Sequence, residues 1–302
     1  MTPPGTIAVI DVGGTDVKSG LIDRDGELTG VHTTATPLGP QVVDELLEHA
    51  TAHVAATRDA HPDLVALGLI APGIIDDENG VAVLASNLGW RDVPMRALLA
   101  ERVGLPVAFG HDVATAGLAE VREGAAAGAE DAAVIVIGTG IAAALFSNGR
   151  PIRGGGYAGE LGHAPIDPEG PRCACGGTGC LEAIASAAAI ARRYSERSGH
   201  QVPGAREVLL AAGAGDGHAA AVWHEAMVAL ARSIAQLAAT LAPEVVVLGG
   251  GLSRAGHQLL DPVQTELDRL LSVQRRPQLR LGQLGTDAGL IGAGILAQEA
   301  LP

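Results

Sequence analysis

Three cysteines and one histidine form the densest group of potential metal ligands in this sequence. Cys173, Cys175 and Cys180 are its only cysteines, and His163 precedes them. An odd number of clustered cysteines is a poor disulfide framework and is more typical of a metal site. Three thiolates and one imidazole fill the tetrahedral shell of Zn²⁺, which indicates a structural ion. We therefore predict zinc here; the alternative is three reduced cysteines beside an unrelated histidine.

Three glycine-rich segments, each of which follows an apolar run, form a second group of candidate functional residues. None of the three is a P-loop with the pattern Gly-x₄-Gly-Lys-Ser/Thr. Glycines let backbone N–H groups approach a phosphate closely. In the first segment, Asp11 would organise Mg²⁺ through water; in the last, the glycines would approach an adenosine moiety. The alternatives are an ordinary hairpin turn and a tight strand–helix turn. The predicted ATP contacts are Asp11, Gly13, Gly14, Thr15, Gly138, Thr139, Gly140, Gly249, Gly250 and Gly251.

The pair His111 and Asp112 follows a predicted strand and begins a predicted helix over 113–126. Phosphoryl transfer to an alcohol needs a carboxylate that accepts the hydroxyl proton, and Asp112 suits that role. The alternative is a helix N-cap, a common role of aspartate at such a position.

Polar side chains elsewhere suit the hydroxyl groups of a sugar. Asn87 offers both a donor and an acceptor. A zinc ion would fix Glu160, near one ligand, and Glu182, just after another, so both could accept hydrogen bonds from a sugar. The alternatives are a turn asparagine and two solvated surface glutamates.

Composition limits the classes of partner. The chain has 302 residues, 47% of them apolar and 18% charged, which is typical of a globular protein. Its net charge of −14 disfavours nucleic acid as a partner. No basic, apolar leader or long apolar segment is evident, so we expect no signal peptide, no membrane partner and a cytoplasmic location. Aromatic residues are only 2%, so a sugar site must depend on hydrogen bonds.

The predicted elements indicate an internal duplication. A strand, a glycine turn and a second strand occur near Asp11 and again near Gly138, about 127 residues later. Two such halves would face each other across a ligand cleft. We expect an N-terminal α/β lobe over residues 1–112 and a C-terminal α/β lobe over 113–302, with the zinc segment at 163–180. The last helix would pack back on the N-terminal lobe.

Together these segments resemble the ROK family of sugar kinases and sugar-responsive regulators, within the actin/hexokinase-like ATPase superfamily. The resemblance covers nearly the whole chain and is most specific at 159–163 and 173–182. It implies an α/β, two-lobed, ribonuclease H-like ATPase fold with a central ligand cleft. It also implies that Asp112 is the catalytic base and that the sugar contacts are Asn87, His111, Asp112, Glu160, His163 and Glu182. The zinc ligands it implies are His163, Cys173, Cys175 and Cys180.

Two positions depart from the family pattern. Family kinases usually carry asparagine directly before the catalytic aspartate, whereas this chain has His111. A histidine at this position resembles the regulator branch of the family. Ala142 and Ala143 also replace glycines that usually follow the second phosphate turn. These departures leave the hexose and the effect of His111 on turnover open.

The sequence and this resemblance together predict ATP-dependent phosphorylation of glucose or a related hexose, and the resemblance implies that O6 is the acceptor. The alternative is a non-catalytic, sugar-sensing regulator that acts through a protein partner. Direct DNA binding is not expected, because the first strand begins near residue 6 and leaves no room for a helix-turn-helix. The family resemblance implies a homodimer or higher homo-oligomer. The sequence does not fix the phosphoryl donor or the oligomeric state.

Overall fold

The computed structural model describes residues 3–85 and 88–301. The chain divides into two compact α/β units. The first comprises Met1–Ala119, Arg153–Tyr157 and Asp287–Pro302, and the second comprises Glu120–Ile152 and Ala158–Thr286. The boundary after Ala119 thus falls inside a helix, beyond the predicted boundary at residue 112.

The first unit is built on a five-stranded sheet in the order β3-β2-β1-β4-β8. The first three strands form an antiparallel meander, while β4 and β8 run parallel to β1. The strands are β1 (Thr6–Val12), β2 (Asp16–Ile22), β3 (Leu28–Ala35), β4 (Leu64–Ala71) and β8 (Val107–His111). Because β1, β4 and β8 are parallel, their carboxyl ends lie at one edge of the sheet.

Helices cover both faces of this sheet because β1 is apolar on both sides. Ala8 and Ile10 belong to a cluster with α1 and α2, whereas Ile7 and Val9 pack with α9. Alternate residues of a strand point to opposite faces, so β1 serves two cores. The helices are α1 (Val42–Ala60), α2 (Met95–Val103), α3 (Asp112–Arg122) and α9 (Ala288–Glu299). A small antiparallel sheet adds β5 (Ile74–Asp76), β6 (Val81–Ala85) and β7 (Trp90–Val93).

The second unit repeats this arrangement in the order β11-β10-β9-β12-β13. Here β10 and β11 form the antiparallel side, and β12 and β13 run parallel to β9. The strands are β9 (Ala132–Ile137), β10 (Ile141–Ser147), β11 (Arg150–Pro151), β12 (Val245–Gly249) and β13 (Gln278–Leu281). The predicted duplication of strand, glycine turn and strand is therefore present in the two sheets.

The helices of the second unit pack around a single large apolar cluster. Eleven buried apolar side chains of α7 contribute to it, together with Leu181, Ile190 and Leu259 from neighbouring helices. The helices are α4 (Leu181–Ala185), α5 (Ala187–Ser198), α6 (Ala205–Gly213), α7 (Gly217–Thr240) and α8 (His257–Leu270). Within the described ranges, every helix is too short or too polar to cross a membrane.

Two predicted helices differ from the observed ones. The helix predicted over 182–195 is divided at Ser186, whose hydroxyl accepts the N–H of Ala189 as the N-cap of α5. The helix predicted over 113–126 begins at Asp112 and ends at Arg122. There the buried Glu120 carboxylate accepts the N–H of Ala125 at 2.7 Å and stabilises a turn in place of further helix.

Candidate active site and metal site

Asp11 and Asp112 lie at the carboxyl edge of the first unit's sheet. Asp11 pairs with Ile70 of β4, which in turn pairs with Gly110 of β8, and Asp112 follows directly after β8. Burial and the charge of Asp112 raise the pKa of Asp11 to about 6, against an opposing effect of Lys18. Two carboxylates that repel each other in this way form an edge that attracts cations.

Asp112 is the first residue of α3, and its carboxylate is held by the backbone. Its Oδ1 atom accepts the N–H of Val113 at 2.6 Å, and its side chain is 29% exposed. The contact typical of an N-cap comes instead from His111, whose Nδ1 atom accepts the N–H of Ala114 at 3.2 Å. His111 therefore carries its proton on Nε2 when neutral. The carboxylate of Asp112 is oriented and accessible, as a general base requires.

The glycine turn of the first unit connects β1 to β2 and is held by hydrogen bonds of its carbonyl groups. Thr36 donates its hydroxyl to the carbonyl of Gly13 at 2.8 Å and its N–H to the carbonyl of Thr15 at 2.9 Å. Gly14 and Thr15 are exposed. This is a fixed, accessible turn, as a phosphate contact requires.

The corresponding turn of the second unit, Gly138–Gly140, is braced by Glu182. The Oε2 atom of Glu182 accepts the N–H of Ile141 at 2.9 Å. A Cβ atom added at Gly140 would lie 2.5 Å from the same oxygen, so a larger residue there would displace the Glu182 carboxylate from the turn. The structure thus places the Glu182 carboxylate on the turn, and the predicted sugar contact of Glu182 stays a prediction.

The glycine run after β12 has two neighbours that sequence analysis did not find. A Cβ atom at Gly250 would lie 2.6 Å from the carbonyl oxygen of Ile137, so this glycine lets the end of β12 pack against β9. Beside Gly251, the second unit also contains a cavity of about 620 Å³. Residues of α6, α7 and the turn before α8 line it, including Leu209, Trp223 and Arg254. Helix α6 was not predicted, so this cavity could not be anticipated.

The structure brings the four predicted metal ligands together. One ligand atom from each of His163, Cys173, Cys175 and Cys180 lies within 4.8 Å of the others. The Sγ atoms of Cys175 and Cys180 are 3.7 Å apart, and Cys173 Sγ lies 3.8 Å from His163 Nδ1. A tetrahedral Zn²⁺ with metal–sulfur bonds of about 2.3 Å places its ligand atoms roughly 3.6–3.8 Å apart, so the residues fit this ion.

The environment of these ligands favours a cation. Burial and the neighbouring thiols raise the pKa of Cys180 to about 12. Three thiolates at this spacing would repel one another unless a metal ion compensated their charge. The other ring nitrogen of His163, Nε2, lies 3.8 Å from a carboxylate oxygen of Glu160. A carboxylate often lies beside the ring nitrogen of a metal-binding histidine that does not contact the ion, where it orients the ring.

The predicted site residues are divided between the two units. Asp11, Gly13, Gly14, Thr15, His111 and Asp112 belong to the first; the second contains Gly138, Thr139, Gly140, Glu160, His163, the cysteines, Glu182 and Gly249–Gly251. Asn87 lies outside the described residues. Two α/β sheets of matching order, each with a glycine turn between its first two strands, define the two-lobed actin/hexokinase-like fold that was predicted.

Comparison with known proteins agrees with this class. A glucokinase of Halalkalibacterium halodurans is 36% identical, over 96% of this chain and 94% of the relative. An N-acetylmannosamine kinase of Shigella flexneri is 34% identical, over 97% and 98%. The ROK family glucokinase of Streptomyces griseus, solved in complex with glucose and AMPPNP, superposes with a TM-score of 0.80 at 32% identity, over 98% of this chain and 100% of that one. The model of the ROK family matches residues 7–300, and the chain belongs to this family.

Proposed function

We propose that this protein transfers the γ-phosphoryl group of ATP to O6 of a hexose, with Asp112 as general base. The chain is an ATP-dependent hexose kinase, a class that its full-length relatives support. The observation that carries the assignment of the base is the position of Asp112: an oriented, accessible carboxylate at the strand edge that also holds Asp11 and the first glycine turn.

In the proposed reaction, Asp112 accepts the proton of the sugar hydroxyl group. At the same time the oxygen atom of that hydroxyl group attacks the γ-phosphorus atom of ATP. A new P–O bond forms to the sugar, the bond between the γ-phosphorus and the bridging oxygen breaks, and ADP leaves with that electron pair. The proton then passes from Asp112 to solvent. His111, whose neutral ring carries its proton on Nε2, would donate a hydrogen bond to the sugar.

ATP would be bound by the two glycine turns and by the cavity of the second unit. Gly13–Thr15 and Gly138–Gly140 would contact phosphate oxygens, and the cavity beside Gly251 has the volume and the apolar lining that suit an adenosine moiety. Mg²⁺ bound with ATP would supply charge compensation to the phosphates. Asp11 fits that cation, because a buried carboxylate with a raised pKa is stabilised when a positive charge approaches it.

Zinc would be a structural component of the sugar site. His163, Cys173, Cys175 and Cys180 would hold the ion, which would fix the outer nitrogen of His163 beside Glu160. The imidazole and the carboxylate could then present one rigid pair of polar groups to sugar hydroxyls. With Asn87, His111 and Glu182 they form the proposed sugar-binding set. The location we propose is the cytoplasm, where thiols stay reduced, and the proposed assembly is a homodimer or higher homo-oligomer.

A sugar-panel assay tests this proposal. ADP release would be followed by a coupled assay with glucose, mannose, N-acetylmannosamine and N-acetylglucosamine, and ³¹P NMR would identify the phosphorylated hydroxyl. We expect one or two hexoses to be converted to their 6-phosphates. Asp112→Asn should lose at least 10²-fold in kcat, whereas Asp59→Asn, on the exposed side of α1, should match the wild type. Binding of a hexose without turnover would instead support the sugar-sensing alternative.

A further inference from the structure

Three histidines of the first unit, one on strand β3 and two on helix α1, form a cluster. His49 and His53 are four residues apart on α1, so they lie on one side of that helix. His32 lies on the edge strand β3, directly across from Ser19 of β2. The ring centroid of His32 is 5.4 Å from that of His53 and 6.5 Å from that of His49.

Hydrogen bonds hold the two helical imidazoles. The Nε2 atom of His53 lies 3.0 Å from the carbonyl oxygen of Gly20, and because a carbonyl can only accept, His53 carries its proton there. Its Nδ1 atom therefore keeps a lone pair. His49 Nε2 lies 2.8 Å from the hydroxyl of the buried Ser19. A hydrogen bond from the outer ring nitrogen to a backbone carbonyl is the arrangement that orients metal-binding histidines.

The protonation state of the cluster agrees with ligand chemistry. Burial lowers the pKa of His53 and of His49, and the neighbouring His32 lowers both further. At pH 7.5 these imidazoles are neutral, which is the form that binds a metal. The Nδ1 atom of His32 lies 3.4 Å from the carbonyl oxygen of Gly30, so its Nε2 atom is the one that would bind a metal.

We propose that His32, His49 and His53 bind one divalent transition-metal ion at a site separate from the three cysteines and His163. Imidazole ligands suit Zn²⁺, Ni²⁺ and Cu²⁺ and do not suit Mg²⁺. Two imidazoles on a tetrahedral ion, with metal–nitrogen bonds of about 2.1 Å, have ring centroids roughly 5 Å apart. His32 and His53 already have this spacing. The ligand atoms of the three histidines are not gathered as tightly as those of the cysteine site, so the wider spacing of His32 and His49 would have to close on binding. The exposed side chain of His32 is the one that would rotate.

Calorimetry with Ni²⁺ tests the proposal on the zinc-loaded, full-length protein at pH 7.5. Ni²⁺ is the probe because thiolate ligands retain Zn²⁺, so the cysteine site stays filled. We expect one Ni²⁺ per chain with a micromolar Kd. His32→Gln and His53→Gln should each weaken binding at least tenfold, while His200→Gln, an exposed histidine outside the cluster, should leave the Kd unchanged. Lowering the pH to 5.5 should also weaken binding at least tenfold.

The variants also separate folding from binding. His32 lies on an exposed edge strand, so His32→Gln should melt like the wild type and keep its kinase activity with Mg²⁺. If His53→Gln unfolds, His32→Gln alone decides the outcome. Absence of Ni²⁺ binding at millimolar concentration, or equal affinity in His32→Gln, His200→Gln and wild type, would overturn the proposal.

Discussion

The buried carboxylate of Asp11 allows a prediction of protein stability whose size follows from the structure. Its pKa of about 6 lies about two above the ordinary value of 3.8, because burial and Asp112 disfavour the charged form. Between these two pKa values the folded protein binds more protons than the unfolded chain, so stability falls as pH rises through this window. A difference of two in pKa corresponds to about 3 kcal/mol. Above pH 6, the ionised Asp11 therefore destabilises the nucleotide-free protein by up to that amount.

Asp11→Asn removes the charge and keeps the shape of the side chain. At pH 7.5 we expect the free energy of unfolding of the nucleotide-free variant to exceed that of the wild type by about 1–3 kcal/mol. This advantage should shrink toward pH 4, where Asp11 is protonated in the folded protein and the pH approaches the ordinary pKa of 3.8 that holds in the unfolded chain. The variant should also lose most of its kinase activity, because a neutral amide does not compensate the charge of Mg²⁺.

The assay is urea denaturation from pH 4 to pH 8, followed by circular dichroism. Asp16→Asn is the matched control: it makes the same charge change at an exposed position at the start of β2, and its stability should follow the wild type at every pH. The reasoning would be refuted if Asp11→Asn were less stable than wild type at pH 7.5, or if its advantage did not depend on pH.

Three further predictions concern other parts of the two units. Glu120→Gln should lower the free energy of unfolding by about 2 kcal/mol, because the buried carboxylate accepts the N–H groups of residues 125, 283 and 284 and an amide offers fewer acceptors. The control Glu123→Gln, at an exposed position, should leave the free energy of unfolding unchanged. Denaturant midpoints measure both variants. Gly250→Ala should lower the melting temperature by several degrees, since its Cβ meets the backbone of Ile137 and φ is +78°. Gly251→Ala, where the added Cβ enters open space, should melt like the wild type. Removal of zinc by a chelator should release one ion per chain, measured by elemental mass spectrometry, and should lower both the melting temperature and the affinity for sugar.

Each of these predictions has a distinct contrary result. Equal midpoints for Glu120→Gln and Glu123→Gln would mean that the three backbone contacts contribute little to stability. Equal melting of Gly250→Ala and Gly251→Ala would mean that the approach of β12 to Ile137 is adjustable. A zinc-free protein with unchanged melting and unchanged KM for sugar would contradict the structural role of the ion.

The elements that carry the site were predictable because their signals are local. The apolar runs of β1 and β9 and the glycines that follow them are visible in short windows. The ligand spacing of Cys173, Cys175 and Cys180 is equally local, and with His163 it led to the cluster that the structure contains. The meander of the first three strands follows from short turns between alternating segments.

The missed features depend on contacts between distant parts of the chain. Glu120 has a surface-like sequence context, and its burial depends on residues 283 and 284, more than 160 positions later. Glu182 was predicted as a sugar contact, but its place beneath the second glycine turn is set by α4. The sequence also allowed Asp112 to be a helix N-cap. In the structure Asp112 is the first residue of α3, and the capping contact is made by His111. The short strands β5–β7 lack an alternating pattern long enough to identify.

The most direct test of the proposed function measures binding and turnover on one sample of Asp112→Asn. Calorimetry would give the Kd for the preferred hexose, and the coupled assay would give kcat with Mg²⁺ and ATP at saturation. A general base acts mainly in the transition state, so we expect the Kd to change less than about threefold while kcat falls by at least 10²-fold. If kcat stayed within threefold of the wild type while the protein remained folded, Asp112 would not be the base, and the central claim would be wrong.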